Sequence, residues 1–228
     1  MSTADSVLQG YKGKSGVDYH AKVHSSDPWV QDVVARSRVL KFEHLVQPDD
    51  DVLEYGVGMG LNIRHLRARR RVGFDVSDAG RAACEHAGIE FRSELSSIEG
   101  QQFSVVICHH VLEHVADPVG TLETIKRFLK PGGRMILCVP FETARYYRRY
   151  IPNDPNRHIF AWNPLTLGNL ATVVGFEVES SSIGPFSYEQ RLAFLARAGF
   201  VIYRLGLWAL RTIRPDNEVF LVARKPIA

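Results

Sequence analysis

Residues 103–108 read Phe-Ser-Val-Val-Ile-Cys, an apolar run of strand length. A strand of that kind is buried on both faces, so helices must cover the sheet above and below it. Residues 51–55, 71–75, 89–92 and 134–139 form further short strand-like runs, separated by helical spacing or by Gly and Pro stops. Strands alternating with helices in this way imply right-handed crossovers and a parallel sheet wound on both sides. The punctuation supports the same reading. Asp27-Pro28 opens a helix, with the acid as N-cap and proline at the first helical position. A second helix follows the glycine-rich turn to about Ala68. Ser77 caps a third, which ends at Gly88. The next runs from Pro118 to Leu129 and is stopped by Pro131-Gly132-Gly133. Beyond it, Asn163-Pro164 starts a helix to Val174, and residues 176–183 read as a strand. Residues 188–213 read as one long helical stretch, and residues 218–223 as the last strand.

A chain of 228 residues suits one such α/β domain and leaves no room for a second full core. Its net charge of +3 is too small to argue for nucleic acid as a partner. The Arg67, Arg69, Arg70, Arg71 cluster is read as closing the second helix, where the dipole favours cations. Cys84, Cys108 and Cys138 lack metal-binding spacing and fall in elements, so they read as reduced core thiols of a cytoplasmic protein. The first ten residues lack a basic-then-apolar pattern, so no signal peptide is expected. No apolar run approaches bilayer-spanning length.

The most informative chemistry is Glu54-Tyr55-Gly56-Val57-Gly58-Met59-Gly60, where the first strand turns. Glycines at the carboxyl end of such a strand let the backbone approach a ligand closely. Asp75 ends the next strand, where a carboxylate can grip two ribose hydroxyls. A dinucleotide site favours G-x-G-x-x-G, but Leu61 follows Gly60 here. Glu54 is also poorly placed for a pyrophosphate, and suits a ligand with a cationic amino group. An NAD(P)-dependent oxidoreductase is therefore the disfavoured alternative.

At these residues the sequence resembles the class I S-adenosylmethionine-dependent methyltransferases. Residues 51–60 look like their first motif, 72–77 like the second, 103–115 like the fourth, and 129–134 like the turn before strand five. The resemblance implies a doubly wound, Rossmann-like α/β fold with a seven-stranded sheet in the order 3-2-1-4-5-7-6, strand 7 antiparallel. Residues 1–26, polar and punctuated by Gly10, Gly13 and Gly16, read as a mobile N-terminal arm, which leaves a methyltransferase domain over 27–228 with insertions at 141–163 and 184–214. The resemblance also implies S-adenosyl-L-methionine as cofactor, held by Glu54, Tyr55, Gly56, Gly58, Gly60, Asn62, Asp75, Val76, Ser77, Glu94, Leu95 and His109. Tyr19 in the arm would close over it. Two positions depart from the family pattern: Tyr55 replaces a smaller or apolar residue, and Glu94 replaces an Asp.

His110-Val111-Leu112-Glu113-His114 matches the H-x-x-E-H pattern of inverted zinc peptidases. The pattern there lies on a long helix, whereas here it follows a buried strand and Pro118 is close behind. Ubiquinone-biosynthesis O-methyltransferases carry a similar E-x-x-E-H linked to a divalent cation. That resemblance makes His110, Glu113 and His114 a candidate metal set, on the expectation that histidines four apart share a helix face. The favoured reading is that Glu113 and His114 brace the turn.

On the acceptor side, Arg145, Tyr147 and Arg148 follow strand five and suit an anionic or ring-bearing small molecule. His158 is the candidate general base, with His110 a second candidate. Arg197, Arg204 and Arg211 would make one basic stripe along a helix over 188–213. That helix would lie on the sheet or the acceptor pocket. Residues 192–213 could otherwise serve as a homodimer contact or lie on a membrane surface. The expected activity is methylation of a small-molecule, lipid-like or saccharide-like acceptor, with O-methylation foremost. A non-catalytic cofactor-binding scaffold is the remaining alternative.

Overall fold

The computed structural model describes residue 13, residues 25–142, Tyr150 and residues 158–227. Seven strands form one sheet: β1 (Asp51–Tyr55), β2 (Arg70–Phe74), β3 (Glu90–Arg92), β4 (Phe103–His109), β5 (Leu129–Pro140), β6 (Glu177–Pro185) and β7 (Asn217–Arg224). Their order is β3-β2-β1-β4-β5-β7-β6, with β7 antiparallel to both neighbours. This is the expected fold class and topology.

Alternation along the central strands explains the two cores. Leu53, Val106, Cys108, Leu137 and Leu221 face one side, where α3 (Pro118–Phe128) and α4 (Pro164–Val173) pack. Val52, Val105, Ile107, Ile136 and Cys138 face the other, covered by α1 (Pro28–Phe42), the glycine-rich turn and α2 (Arg81–His86). The three cysteines are buried free thiols, as expected. Asp27 and Asn163 cap as the sequence reading has them, whereas Ser77 caps a 3-10 turn (Asp78–Gly80) and α2 starts after Gly80 with no side-chain cap. Asp27 accepts the Trp29 N–H at 2.9 Å, Asp117 caps α3, and Asn163 forms a capping box with Thr166 at the start of α4.

Three expectations are corrected. No helix forms over 61–68; the segment is a series of turns. Gly58 and Gly60 sit at positive φ of 48° and 72°, and β2 begins at Arg70, leaving room for a turn rather than a helix. The arginine cluster therefore closes no such helix. Arg69 pairs with Asp51 and Arg70 with Glu90. Arg71 instead donates to the carbonyls of Ile63, Arg64 and Ala87, the last at the end of α2. Second, β5 begins at Leu129 without a break, and Lys130–Gly133 is absorbed as a register shift against β4. Third, the stretch over 188–213 is not one helix. It comprises α5 (Glu189–Leu192), a 3-10 turn (Ala193–Arg197) and α6 (Phe200–Ile213), interrupted at Gly199 with φ 135°. Arg197 is thus off α6, stacked 5.0 Å from the Trp29 ring, and the three-arginine stripe does not exist. Among the described residues no helix is long and apolar enough to cross a membrane.

Candidate active site

The glycine-rich turn is shaped by what it touches. The N–H groups of Gly56 and Val57 both donate to the Phe74 carbonyl, tying the turn to the end of β2. A Cβ on Gly56 would lie 2.2 Å from Val111 Cγ2, so the turn after β4 packs directly on it. A Cβ on Gly80 would lie 1.8 Å from the Gly58 carbonyl oxygen. Gly80 is thus as strictly required as the loop glycines, although its sequence context carries no signal for that. Asp75 receives the Gly58 N–H on Oδ2 at 2.8 Å and the Ser77 N–H on Oδ1 at 2.9 Å. Two backbone donors fix the carboxylate at the carboxyl end of β2.

Glu54 is wholly buried behind the turn. Its Oε1 accepts from Asn62 Nδ2, while its Oε2 and Asn62 Oδ1 have no hydrogen-bond partner. Burial pushes its carboxyl up to about 8, against the opposing pull of Asn62 and of the Arg38 charge. Each of those two oxygens is a buried acceptor left without a donor. Tyr55 lies half-buried against Phe74, with its hydroxyl pushed up to about 12 by burial. Val76 and Leu95 are half-buried against the core, and Glu94 is exposed at the start of a 3-10 turn.

At the end of β4, His109 and His110 stack with ring centroids 4.3 Å apart, and Phe186 packs on both. His110 adopts φ 56°, a left-handed conformation uncommon outside glycine. Glu218 of β7 meets both imidazoles, at 3.4 and 3.2 Å, and pairs with Lys41 of α1. Burial opposes the charge on Glu218, but Lys41 and the two imidazoles outweigh it and hold the carboxyl well below its ordinary value. Burial, together with the His110 and Lys41 charges, keeps His109 neutral. Lys41 and Glu218 were not legible beforehand. The one available signal was an acid at an inward position of an otherwise apolar final strand.

In the expected set of His110, Glu113 and His114, Glu113 Oε1 lies 4.0 Å from His110 Nδ1 and 3.7 Å from His114 Nε2, but the histidines are not placed as a helix would place them. Left-handed His110 turns its Nε2 to Glu218, and residues 112–114 form a 3-10 turn, so the two histidines share no helix face. Glu113 and His114 gather instead with His158, with ligand atoms all within 4.8 Å of one another. Glu113 is buried with neither carboxylate oxygen hydrogen-bonded, and burial raises its carboxyl. Its backbone carbonyl accepts the Ile159 N–H at 2.8 Å. His158 Nδ1 bonds Glu142 Oε1, and its ring meets His114 edge-on at 4.8 Å. Such donors suit a nitrogen-preferring divalent ion. Tyr19, Arg145, Tyr147 and Arg148 lie outside the described residues.

A family model described as "Methyltransferase domain" matches residues 30–181. The ubiquinone biosynthesis O-methyltransferase of Roseobacter denitrificans is 31% identical over 127 residues, which cover 50% of this chain and 49% of that one. The chain thus spans about half the length of this relative. Among solved structures, the 1,6-didemethyltoxoflavin N1-methyltransferase of Burkholderia thailandensis has a TM-score of 0.66 at 17% identity, covering 99% of this chain and 92% of that chain. The cyclase SpnF scores 0.59 at 18% identity, covering 85% and 81%. At such identities the structures speak for the fold alone. The family model, spanning most of the sheet and both sides of the glycine-rich turn, establishes that the chain belongs to the methyltransferase-domain family, the class I S-adenosylmethionine-dependent methyltransferases.

Proposed function

We propose that this chain transfers a methyl group from S-adenosylmethionine to an oxygen of a small-molecule acceptor. The observation that carries the reading is the orphaned Glu54 Oε2 beside Asn62 Oδ1, buried behind a turn of three positive-φ glycines. Those acceptors fit an ammonium group, and a pyrophosphate would be repelled there. Asp75, held by two backbone donors, fits a pair of ribose hydroxyls. When bound, S-adenosylmethionine supplies an electrophilic methyl group on a sulfonium.

The rest of the work falls to orientation, exclusion of water and proton removal. His158 is the base this reading assigns. With Nδ1–H donating to Glu142, the tautomer that puts the proton-accepting lone pair on Nε2 is favoured. Glu142 then stabilises the imidazolium as it forms. Oxygen is favoured as the acceptor atom because the Roseobacter relative bears that name, and because a hydroxyl needs such a base. The acceptor-side roles of Arg145, Tyr147 and Arg148 belong to this reading as secondary elements; a divalent ion at Glu113, His114 and His158 is the competing use of His158, because it would occupy the Nε2 that the base needs.

Calorimetric titration with S-adenosylmethionine, S-adenosylhomocysteine and NAD tests it. Binding of the first two and not the third is the expected result. Binding of NAD alone would overturn the reading in favour of an oxidoreductase.

A further inference from the structure

The connection between β6 and β7 folds over the outer strands on the α1 side of the sheet. Between α6 and α1 it leaves a cleft of about 680 Å³. Glu218 and Phe220 of β7 form part of its floor, Arg38 and Lys41 line one wall, and Arg204 and Trp208 line the other. Both acids of the cleft are already neutralised. Glu218 is held by Lys41 and two imidazoles, and buried Glu189 pairs with Arg211 at 2.7 Å. Arg38 and Arg204 remain, and among the described residues neither forms an ion pair. The Arg38 Nε is buried without a hydrogen-bond partner. The Arg38 guanidinium lies 5.9 Å from the Phe186 ring centroid, and a guanidinium with an unsatisfied N–H and no paired anion is a donor awaiting an oxygen anion.

The remaining lining mixes polar Ser37, His44, Ser182 and Thr212 with apolar side chains. Leu40, Leu207 and Phe220 continue the walls, and Trp208, 69% exposed, stands at the rim. Beyond it the outward stripe of α6 presents Val201 and Leu205 to solvent. The segment over 190–215 carries five arginines and no acid, in a chain whose net charge is only +3. We propose that this cleft binds an amphiphilic anion: a phosphate or carboxylate seated between Arg38 and Arg204, with its apolar body along Trp208. Of the Glu218, His109 and His110 cluster at the end of β4, only Glu218 lines the cleft, and His158 does not line it, so this binding site is separate from the base of the methyl-transfer reading.

The test is tryptophan emission of the full chain titrated with dodecyl phosphate below its micellar concentration, with neutral dodecyl maltoside and inorganic phosphate as separate arms. A saturable blue shift with dodecyl phosphate alone is expected. Arg38→Gln and Arg204→Gln should each weaken it about tenfold or more, as loss of a charged hydrogen bond would. Trp208→Phe should remove most of the signal while calorimetry still detects binding. Flotation with phosphatidylglycerol against phosphatidylcholine vesicles separates the sources. Arg204-dependent flotation with the anionic lipid points to a headgroup in a bilayer, and its absence to a free amphiphile. An equal response to the neutral detergent, or unchanged affinity in both arginine variants, would overturn the proposal. S-adenosylmethionine affinity of Arg204→Gln, expected at the wild-type value, shows that the variant is folded and keeps this result separate from the cofactor reading.

Discussion

Glu54 links stability to function at a single side chain. Its carboxyl titrates near 4.5 in the unfolded chain and about 8 in the folded one, because burial disfavours its charge. Between those values the folded state holds a proton that the unfolded state has lost, so stability falls as pH rises from about 4.5 to about 8. Glu54→Gln removes that dependence. The ligand-free variant should melt higher than wild type at pH 8 and show a flatter pH profile, measured by scanning calorimetry. The same change should weaken S-adenosylmethionine binding by about 1.5–3 kcal/mol, since a charged hydrogen bond to the ammonium is lost. A variant that is stabilised and still binds fully would place the amino group elsewhere. The ionisation also predicts that wild-type binding tightens from pH 6 to pH 8 with release of a proton. Calorimetry in buffers of different ionisation enthalpy measures that release directly. At the other end of the site, Glu142→Gln should lower kcat by about 10²–10³-fold with little change in cofactor affinity. It removes the acceptor that sets the His158 tautomer. A fall in cofactor affinity of the same size would instead make Glu142 a structural residue.

The elements show where a sequence can be read and where it cannot. The central strands were legible because burial on both faces forces an apolar run, as in β4, and two helix starts because Asp27-Pro28 and Asn163-Pro164 announce themselves chemically. The turns at 61–68 were not. Ile63 and Leu66 are buried there just as they would be in a helix, so periodicity alone could not distinguish the two. The glycines and Asp75 could be read together because they lie within one strand–turn–strand unit. Lys41, Glu142 and Glu218 come from three distant segments and meet the histidines only through the fold. The closeness of the turn to Val111 gives an element-scale test. Gly56→Ala puts a Cβ 2.2 Å from Val111 Cγ2 and forces an L-residue to φ 83°. It should cost about 2–4 kcal/mol of stability by denaturant unfolding. Adding Val111→Ala should recover part of that cost, because it relieves the clash but not the backbone strain. Full recovery would mean that the left-handed backbone contributes nothing.

At the scale of the molecule, unequal cores predict unequal stability. The two faces of the sheet carry large buried clusters, whereas the connection over 186–214 is anchored by a small one, centred on Val33, Ala193, Tyr203 and Leu207. Tyr203 is fully buried, and its hydroxyl donates to the Glu189 carbonyl at 3.3 Å. Around that anchor α6 turns Val201, Leu205 and Trp208 to solvent. A unit with few buried contacts opens at lower free energy than the sheet it covers. The cleft between α1 and α6 can therefore widen without melting the fold, which a ligand with a long apolar body would require. Leu207→Ala should weaken the anchor by about 2–3 kcal/mol. Native-state hydrogen exchange should then show faster exchange across α6, with the amides of β4 and β5 exchanging as in the wild type. If β4 and β5 lose protection in step with α6, the connection is part of the same cooperative unit as the sheet. Ligand entry would then have to use the cleft at its resting width.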